Sequence, residues 1–275
     1  MTGLHERQAA TFARNRATGR VDLSVHAADG VSRRGRVHEA GSLRVRFPNG
    51  PALEAVTVNS AGGMTGGDRF SFDISVGAGA GLTMTTAAAE KIYRSLGPDT
   101  EIDVRLAVSA GGALQWLPQE TILFDSARLA RSIEVHLDDG AEVLVAEAVV
   151  FGRAAMGEVV RCGRLADRWR VRIGGRLVFA ENLVLDGNIA SILGRRAVAA
   201  GGIACATLLR APGDERIVEA VRTLGDDFAG EVGVSAWNGI ALARLCAADS
   251  AKLRHDMMKI IAAWSGSGVP RLWLN

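Results

Sequence analysis

Aromatic side chains are scarce in this chain, with one tyrosine, eight phenylalanines and five tryptophans in 275 residues. Few flat platforms are therefore on offer for stacking sugars or nucleic-acid bases. The 32 basic residues lie among 30 acidic ones, for a net charge of +2, with no long run of either sign. A nucleic-acid footprint needs clustered Lys and Arg with interleaved aromatics, so that class is set aside. Proline is sparse too, at six residues, whereas the 33 glycines exceed the usual share of roughly 7%. The combination implies many tight turns rather than a low-complexity linker. Cysteine is limited to Cys162, Cys205 and Cys246, an odd count without a C-x-x-C pair, which gives no disulfide framework and suggests buried thiols in a reducing compartment. The longest small-apolar stretch, Ala197 to Leu209, is interrupted by Gly201 and Gly202 and falls short of the roughly 20 residues a membrane helix needs. Met1 to Arg20 carries arginines but no apolar run of signal-peptide length. A soluble, cytoplasmic protein that binds neither membrane nor nucleic acid is the expectation.

What is present is a large apolar fraction, 48%, cut into short alternating runs. Val21 to His26, Leu43 to Phe47 and Ala55 to Asn59 read as strands separated by Asp29-Gly30 and Pro48 to Gly50. Phe70, Phe72, Ile74 and Val76 alternate with Ser71, Asp73 and Ser75, the period of a half-buried strand. Turn signals continue every 10 to 25 residues as far as Gly174-Gly175, which argues for a β architecture. Asn238-Gly239, flanked by Val232 and Val234 on one side and Ile240 to Leu245 on the other, predicts a hairpin. Two segments follow a helical period instead. Asp214 to Leu224 has an acidic N-cap and a stop at Gly225, and Ser250 to Trp264 places Leu253, Met257, Ile260, Ile261 and Trp264 on one face. That stripe must be covered, by the chain's own sheet or by another protein. One domain spanning 1 to 275 is expected, with residues 1 to 19 flexible.

The search for chemistry is mostly negative. His5, His26, His38, His136 and His255 are scattered, and neither H-E-x-x-H nor G-x-S-x-G occurs. Asn59 to Phe70 places two glycine pairs before Asp68 and a strand, which suits a tight turn. A phosphate loop would need Lys-Ser/Thr and a helix after its last glycine. Glu147, Glu158 and Glu181 lie in stretches expected to be buried. A buried carboxylate must be paired or ligated. Two readings stay open: salt bridges to Arg94, Arg153 or Arg176, or a polar interior path for water and cations.

Five blocks carry a resemblance. They are Asn59 to Asp68 (NSAGGMTGGD), Thr85 to Ser95 (TTAAAEKIYRS), Leu114 to Asp125 (LQWLPQETILFD), Phe151 to Glu158 (FGRAAMGE) and Pro270 to Trp273 (PRLW). In order and separation they resemble the urease accessory protein D family, UreD in most bacteria and UreH in some. The resemblance covers roughly Arg20 to the C-terminus. It implies an all-β dominated, β-helix-like stack of mixed strands with two amphipathic helices in the C-terminal third. It also implies a non-enzymatic role as a scaffold between apo-urease and UreF, which carries the GTPase UreG, and as a conduit for nickel. No tightly bound cofactor is expected, only transient nickel(II). By position, Asp68, Glu147 and Glu181 correspond to acidic residues along an internal passage, and Glu158 to a structural one. The C-terminal region implies a docking surface with Leu253, Met257, Ile260, Ile261, Trp264 and Trp273 as anchors. The competing classes are a carbohydrate-active β-helix enzyme using paired carboxylates and a generic β-rich assembly protein.

Overall fold

In the computed structural model, which describes residues 16–153, 156–266 and 268–274, strands account for 53% of the chain and helices for 14%. β1 (Thr18–Ala28) and β2 (Val31–Gly41) form a hairpin in a first sheet, and β3 (Leu43–Arg46) and β4 (Glu54–Asn59) pair in a second. The chain then winds. It returns to the first sheet as β5 (Arg69–Val76) and crosses to β6 (Gly81–Thr86) and β7 (Glu90–Ile92). It returns as β8 (Thr100–Val108) and crosses to β9 (Ala113–Leu117) and β10 (Thr121–Leu123). A third coil runs through β11 (Arg128–Leu137) to β12 (Glu142–Phe151), and β13 (Gly163–Ile173) and β14 (Arg176–Gly187) close the first sheet. Each coil re-enters in the same direction. The middle of each sheet is therefore parallel, β1-β5-β8-β11-β13 in one and β4-β6-β9-β12 in the other, with antiparallel strands at the margins.

A short helix α1 (Ile189–Leu193) leads to β15 (Ala204–Ala211), α2 (Glu215–Arg222), the hairpin β16 (Glu231–Trp237) and β17 (Ile240–Ala247), and α3 (Ser250–Ser265). The stack of mixed strands thus agrees with expectation, and so do the two amphipathic helices and the Asn238-Gly239 hairpin, with both turn residues at positive φ. Two details differ. The helix after Asp214 ends at Arg222, with Thr223 as cap, two residues before Gly225, and Thr18 and Gly19 already belong to a paired strand. Ala17 is likewise tied down, its N–H bonded to Asp68, and residues 1–15 of the flexible segment expected at the N-terminus lie outside the described residues, as do Ala154 and Ala155 of the fourth block.

Two cores separate three layers. Between the sheets lie the alternating residues of the coils, among them Phe70, Ile74, Val104, Leu106, Ile133 and Trp169. The other face of the second sheet meets the helices. There Ala146, Ala148, Ala204, Ala206, Ala241 and Ala243 present small side chains on which α2 and α3 seat closely. β12 is consequently buried on both faces: Val143, Val145 and Val149 point to the first sheet, and Leu144, Ala146 and Ala148 to the helices. Position 147 points between the sheets.

The second core settles what covers the helical stripe. Leu253, Met257, Ile260 and Ile261 are fully buried and Trp264 and Trp273 nearly so, all against the chain's own sheet. As docking anchors these six are corrected. Each such side chain gains roughly 1.5 to 3 kcal/mol by burial, and intramolecular packing already takes that gain. The solvent face of α3 carries Lys252, His255, Ala262 and Ala263 instead.

Candidate functional site

Alternation along β11 and β13 points Leu129, Arg131, Ile133 and Val135 inward, together with Leu165, Asp167, Trp169 and Val171. Arg131 and Asp167 are direct partners in the parallel pairing of the two strands, so a cation and an anion sit side by side on an apolar face. Arg131 Nε donates to Asp167 Oδ1 at 3.1 Å and Nη2 to Oδ2 at 2.5 Å, a bidentate fork. Across the gap between the sheets its Nη1 donates to Glu147 Oε2, while Trp116 Nε1 donates to Glu147 Oε1 at 2.7 Å. The side chains of Arg131 and Glu147 are 3% and 5% exposed, so one guanidinium faces two carboxylates almost without water.

Burial works against the charge on Arg131, yet Asp167 and Glu147 together raise its pKa above the ordinary arginine value. Burial drives the Glu147 carboxyl upward, Arg131 and the Trp116 hydrogen bond oppose the rise, and the nearby Asp167 adds to it. With one positive and two negative groups, a proton or a second cation completes the balance.

This triad lines a cavity of about 480 Å³, together with Leu165 and Leu185 of the first sheet, Phe151, Cys205, Thr207, Glu231 and Cys246 of the second, and Leu193 and Ala199 from the segment between them. Arg244 also lines it and is bonded through Nη2 to Glu181 Oε1, which places Glu181 at the rim. A second hollow, of about 530 Å³, bears Glu101, Asp103, Ser132 and Arg168 and touches Arg131, Asp167 and Leu183 from the outer face of the first sheet. The Arg131–Asp167 pair therefore lies between an acidic outer hollow and the inner cavity.

Of the three acidic residues that the resemblance places along a passage, Glu147 lines this cavity, Glu181 reaches it only through its bond to Arg244, and Asp68 does not line it. Asp68 is a latch: its Oδ1 accepts from Ala17 N and its Oδ2 from Thr65 N, both at 2.8 Å. Salt bridging does account for Glu158, which pairs with Arg153 at 2.8 Å, whereas Glu147 and Glu181 pair with Arg131 and Arg244 rather than with Arg94 or Arg176. Arg131 and Asp167 escaped the sequence reading. Their signal is a charged residue at the inward parity of an otherwise apolar alternation. Among the described residues no three His, Cys, Asp or Glu side chains converge as a metal site. Cys162 is exposed rather than buried, and Cys205 and Cys246 are half-buried.

A family described as UreD urease accessory protein matches residues 17–274. The chain belongs to the UreD family. A urease accessory protein UreD of Rhodopseudomonas palustris (strain HaA2) is 59% identical over 268 residues, covering 97% of this chain and 96% of the relative. A namesake from strain BisB5 of the same species is 58% identical over 266 residues, covering 96% and 94%. One from Bradyrhizobium diazoefficiens is 56% identical over 266 residues, covering 96% of each. All three bear the name of an accessory protein of urease.

The blocks that carried the UreD resemblance prove to be stitched to one another. Met64 N donates to Lys91 O at 2.8 Å, Tyr93 N to Met64 O at 2.7 Å and Thr65 Oγ1 to Arg94 O at 2.9 Å, which locks the first block onto the second. Gly63 has φ +143, and a Cβ there would lie 2.4 Å from the Tyr93 ring, so glycine is required by conformation and by contact. In the third block Trp116 holds Glu147, and Glu120 accepts a fork from Arg254 at 2.8 and 2.7 Å. Leu117 O accepts from the Trp273 indole of the last block at 3.1 Å. The first block is thus bound to the second and the C-terminus to the third, and Trp116 alone of these residues reaches the cavity wall, through Glu147.

Proposed function

We propose that this UreD-family chain acts in urease maturation without catalysing a reaction, linking apo-urease to UreF and, through UreF, to the GTPase UreG, and passing nickel(II) through its interior. The observation that carries the reading is the buried Glu147, set by Trp116 and Arg131 in the wall of the inter-sheet cavity, in a cluster with one more carboxylate than guanidinium. Nickel is cargo here, not a resident cofactor. A hard or borderline cation is attracted by the excess negative charge, and the two protein carboxylates with intervening water hold it weakly enough to leave. The passage we infer runs from the outer hollow with Glu101 and Asp103, past Asp167 and Glu147, to Glu181 at the rim. Asp68, the third acidic residue implied by the family resemblance, enters only as the latch that holds the neighbouring turn.

The partner assignments rest on family membership alone. Where UreF docks on the C-terminal region, it meets the exposed face of α3 with Lys252 and His255, since the apolar face is internal. No described helix is long and apolar enough to cross a membrane, and a cytoplasmic site of action belongs to the same proposal. The test is a urease operon with this gene deleted and then restored in trans, with urease-bound nickel and retention of UreF on the tagged chain as readouts. Nickel-poor urease rescued by the gene, with UreF co-purifying, supports the reading. Full nickel loading without the gene overturns it.

A further inference from the structure

Cys205 on β15 and Cys246 on β17 are direct partners in the antiparallel pairing, although 41 positions separate them in sequence. Their sulfurs lie 3.7 Å apart and both line the inter-sheet cavity. The space for this arrangement is specific. Gly202 leaves it open, because a Cβ at that position would come within 2.5 Å of Cys246 Sγ. Cys246 Sγ also lies 3.7 Å from Ala199 O, which likewise lines the cavity. From the pairing, the sulfur separation and the access from the cavity, we propose that Cys205 and Cys246 form a thiol–disulfide exchange site, oxidised to a cross-strand disulfide by a small-molecule disulfide of the glutathione class.

The titration of the two thiols supports the order of events. The hydrogen bond from Cys205 brings the Cys246 thiol down to about 7, against burial and the Glu231 charge, while the same contact and burial push the Cys205 thiol up. A thiol near the ambient pH is the better attacking group. Cys246 thiolate attacks one sulfur of the small disulfide, whose S–S bond breaks and whose other half leaves as a thiolate. The Cys205 sulfur then attacks Cys246 Sγ, its proton passes to a released thiolate, and the mixed disulfide breaks to expel the second half. Two cysteine thiols are oxidised, and one small disulfide is reduced to two thiols. Forming the bond closes the sulfur contact from 3.7 Å to the roughly 2.05 Å of a disulfide. The bond would pin β15 to β17 along the cavity wall, and the inference stands whether or not nickel passes there.

The purified full-length chain is incubated with glutathione disulfide, alkylated and analysed by intact mass and peptide mapping. The expected product has lost two hydrogens from its mass, carries a Cys205–Cys246 linked peptide, and leaves Cys162, of three cysteines, outside the link. Unfolding should rise by on the order of 5 °C in the oxidised form and return on reduction. In the Cys205→Ser variant, glutathione should remain attached at Cys246. A wild-type chain that accumulates the Cys246 adduct without resolving it, or that keeps both thiols free while Cys162 reacts, overturns the proposal.

Discussion

A guanidinium buried between two carboxylates can be deleted only by leaving both anions without a partner in a medium that does not solvate them. Arg131→Met should therefore destabilise the chain by about 3 to 5 kcal/mol, read as a lower midpoint in urea. Neutralising the partners in the same chain, with Glu147→Gln and Asp167→Asn, should recover most of that loss. A shift below about 1 kcal/mol for Arg131→Met would mean that water reaches the triad. Glu90 gives a second prediction at this scale. Its Oε1 accepts from Asn59 Nδ2 at 2.9 Å, and burial pushes its carboxyl up to about 7. The folded chain then holds a proton that the unfolded chain has released. Stability from this group is complete below the unfolded value near 4.5 and declines as pH rises through about 7, by about 3 kcal/mol in total. Glu90→Gln should flatten that slope, and urea midpoints between pH 5 and 8 that fall equally in both proteins would contradict the assignment.

Among the elements, α3 and the turn of 3-10 helix at Arg271–Leu274 depend on the third signature block. Trp273 is 1% exposed and its indole donates to Leu117 O and Thr85 Oγ1, while Arg254 lies over its ring and forks to Glu120. Trp273→Ala should cost about 3 to 5 kcal/mol, with amide exchange accelerating first in α3. An unchanged exchange pattern there would show that the helix seats without its anchor. How much of each element was legible follows from the range of the contacts that make it. Strand period, the Asn238-Gly239 turn and the Asp214 cap are local, and they stand in the sequence as they stand in the structure. What covers the stripe of α3 depends on an alanine face built from β12, β15 and β17, and periodicity carries no information about that partner. Parallel pairing was hidden similarly, because Val104 meets Phe72 and Ile133, each about one coil away. Arg131 and Asp167 were legible in part: their parity marked them as inward, but only the adjacency of β11 and β13 shows them to be one cluster. The Cys205 and Cys246 pairing left no local trace at all.

For the whole molecule, the three-layer stack makes the C-terminal helix part of the fold and not an appendage. Truncation after Asp249 removes α3 and Trp273 and bares the alanine face of the second sheet, so the product should aggregate, visible as loss of the monomer peak in size-exclusion chromatography. A soluble, cooperatively folded truncation would contradict this account of the layers. The same stack holds a charged cluster between an acidic hollow on the outer face of the first sheet and a cavity between the sheets, and on this arrangement the proposed passage rests. The most direct test is the nickel content of urease purified from cells that express the urease operon with Glu147→Gln and Glu181→Gln together in this chain. Glutamine preserves size at both positions while removing the negative charges, and its single acceptor oxygen at position 147 keeps one of the two hydrogen bonds that Glu147 accepts. A several-fold fall in nickel per urease active site is expected, with the chain folded and UreF still retained on it. Wild-type nickel content in that double variant would contradict the passage.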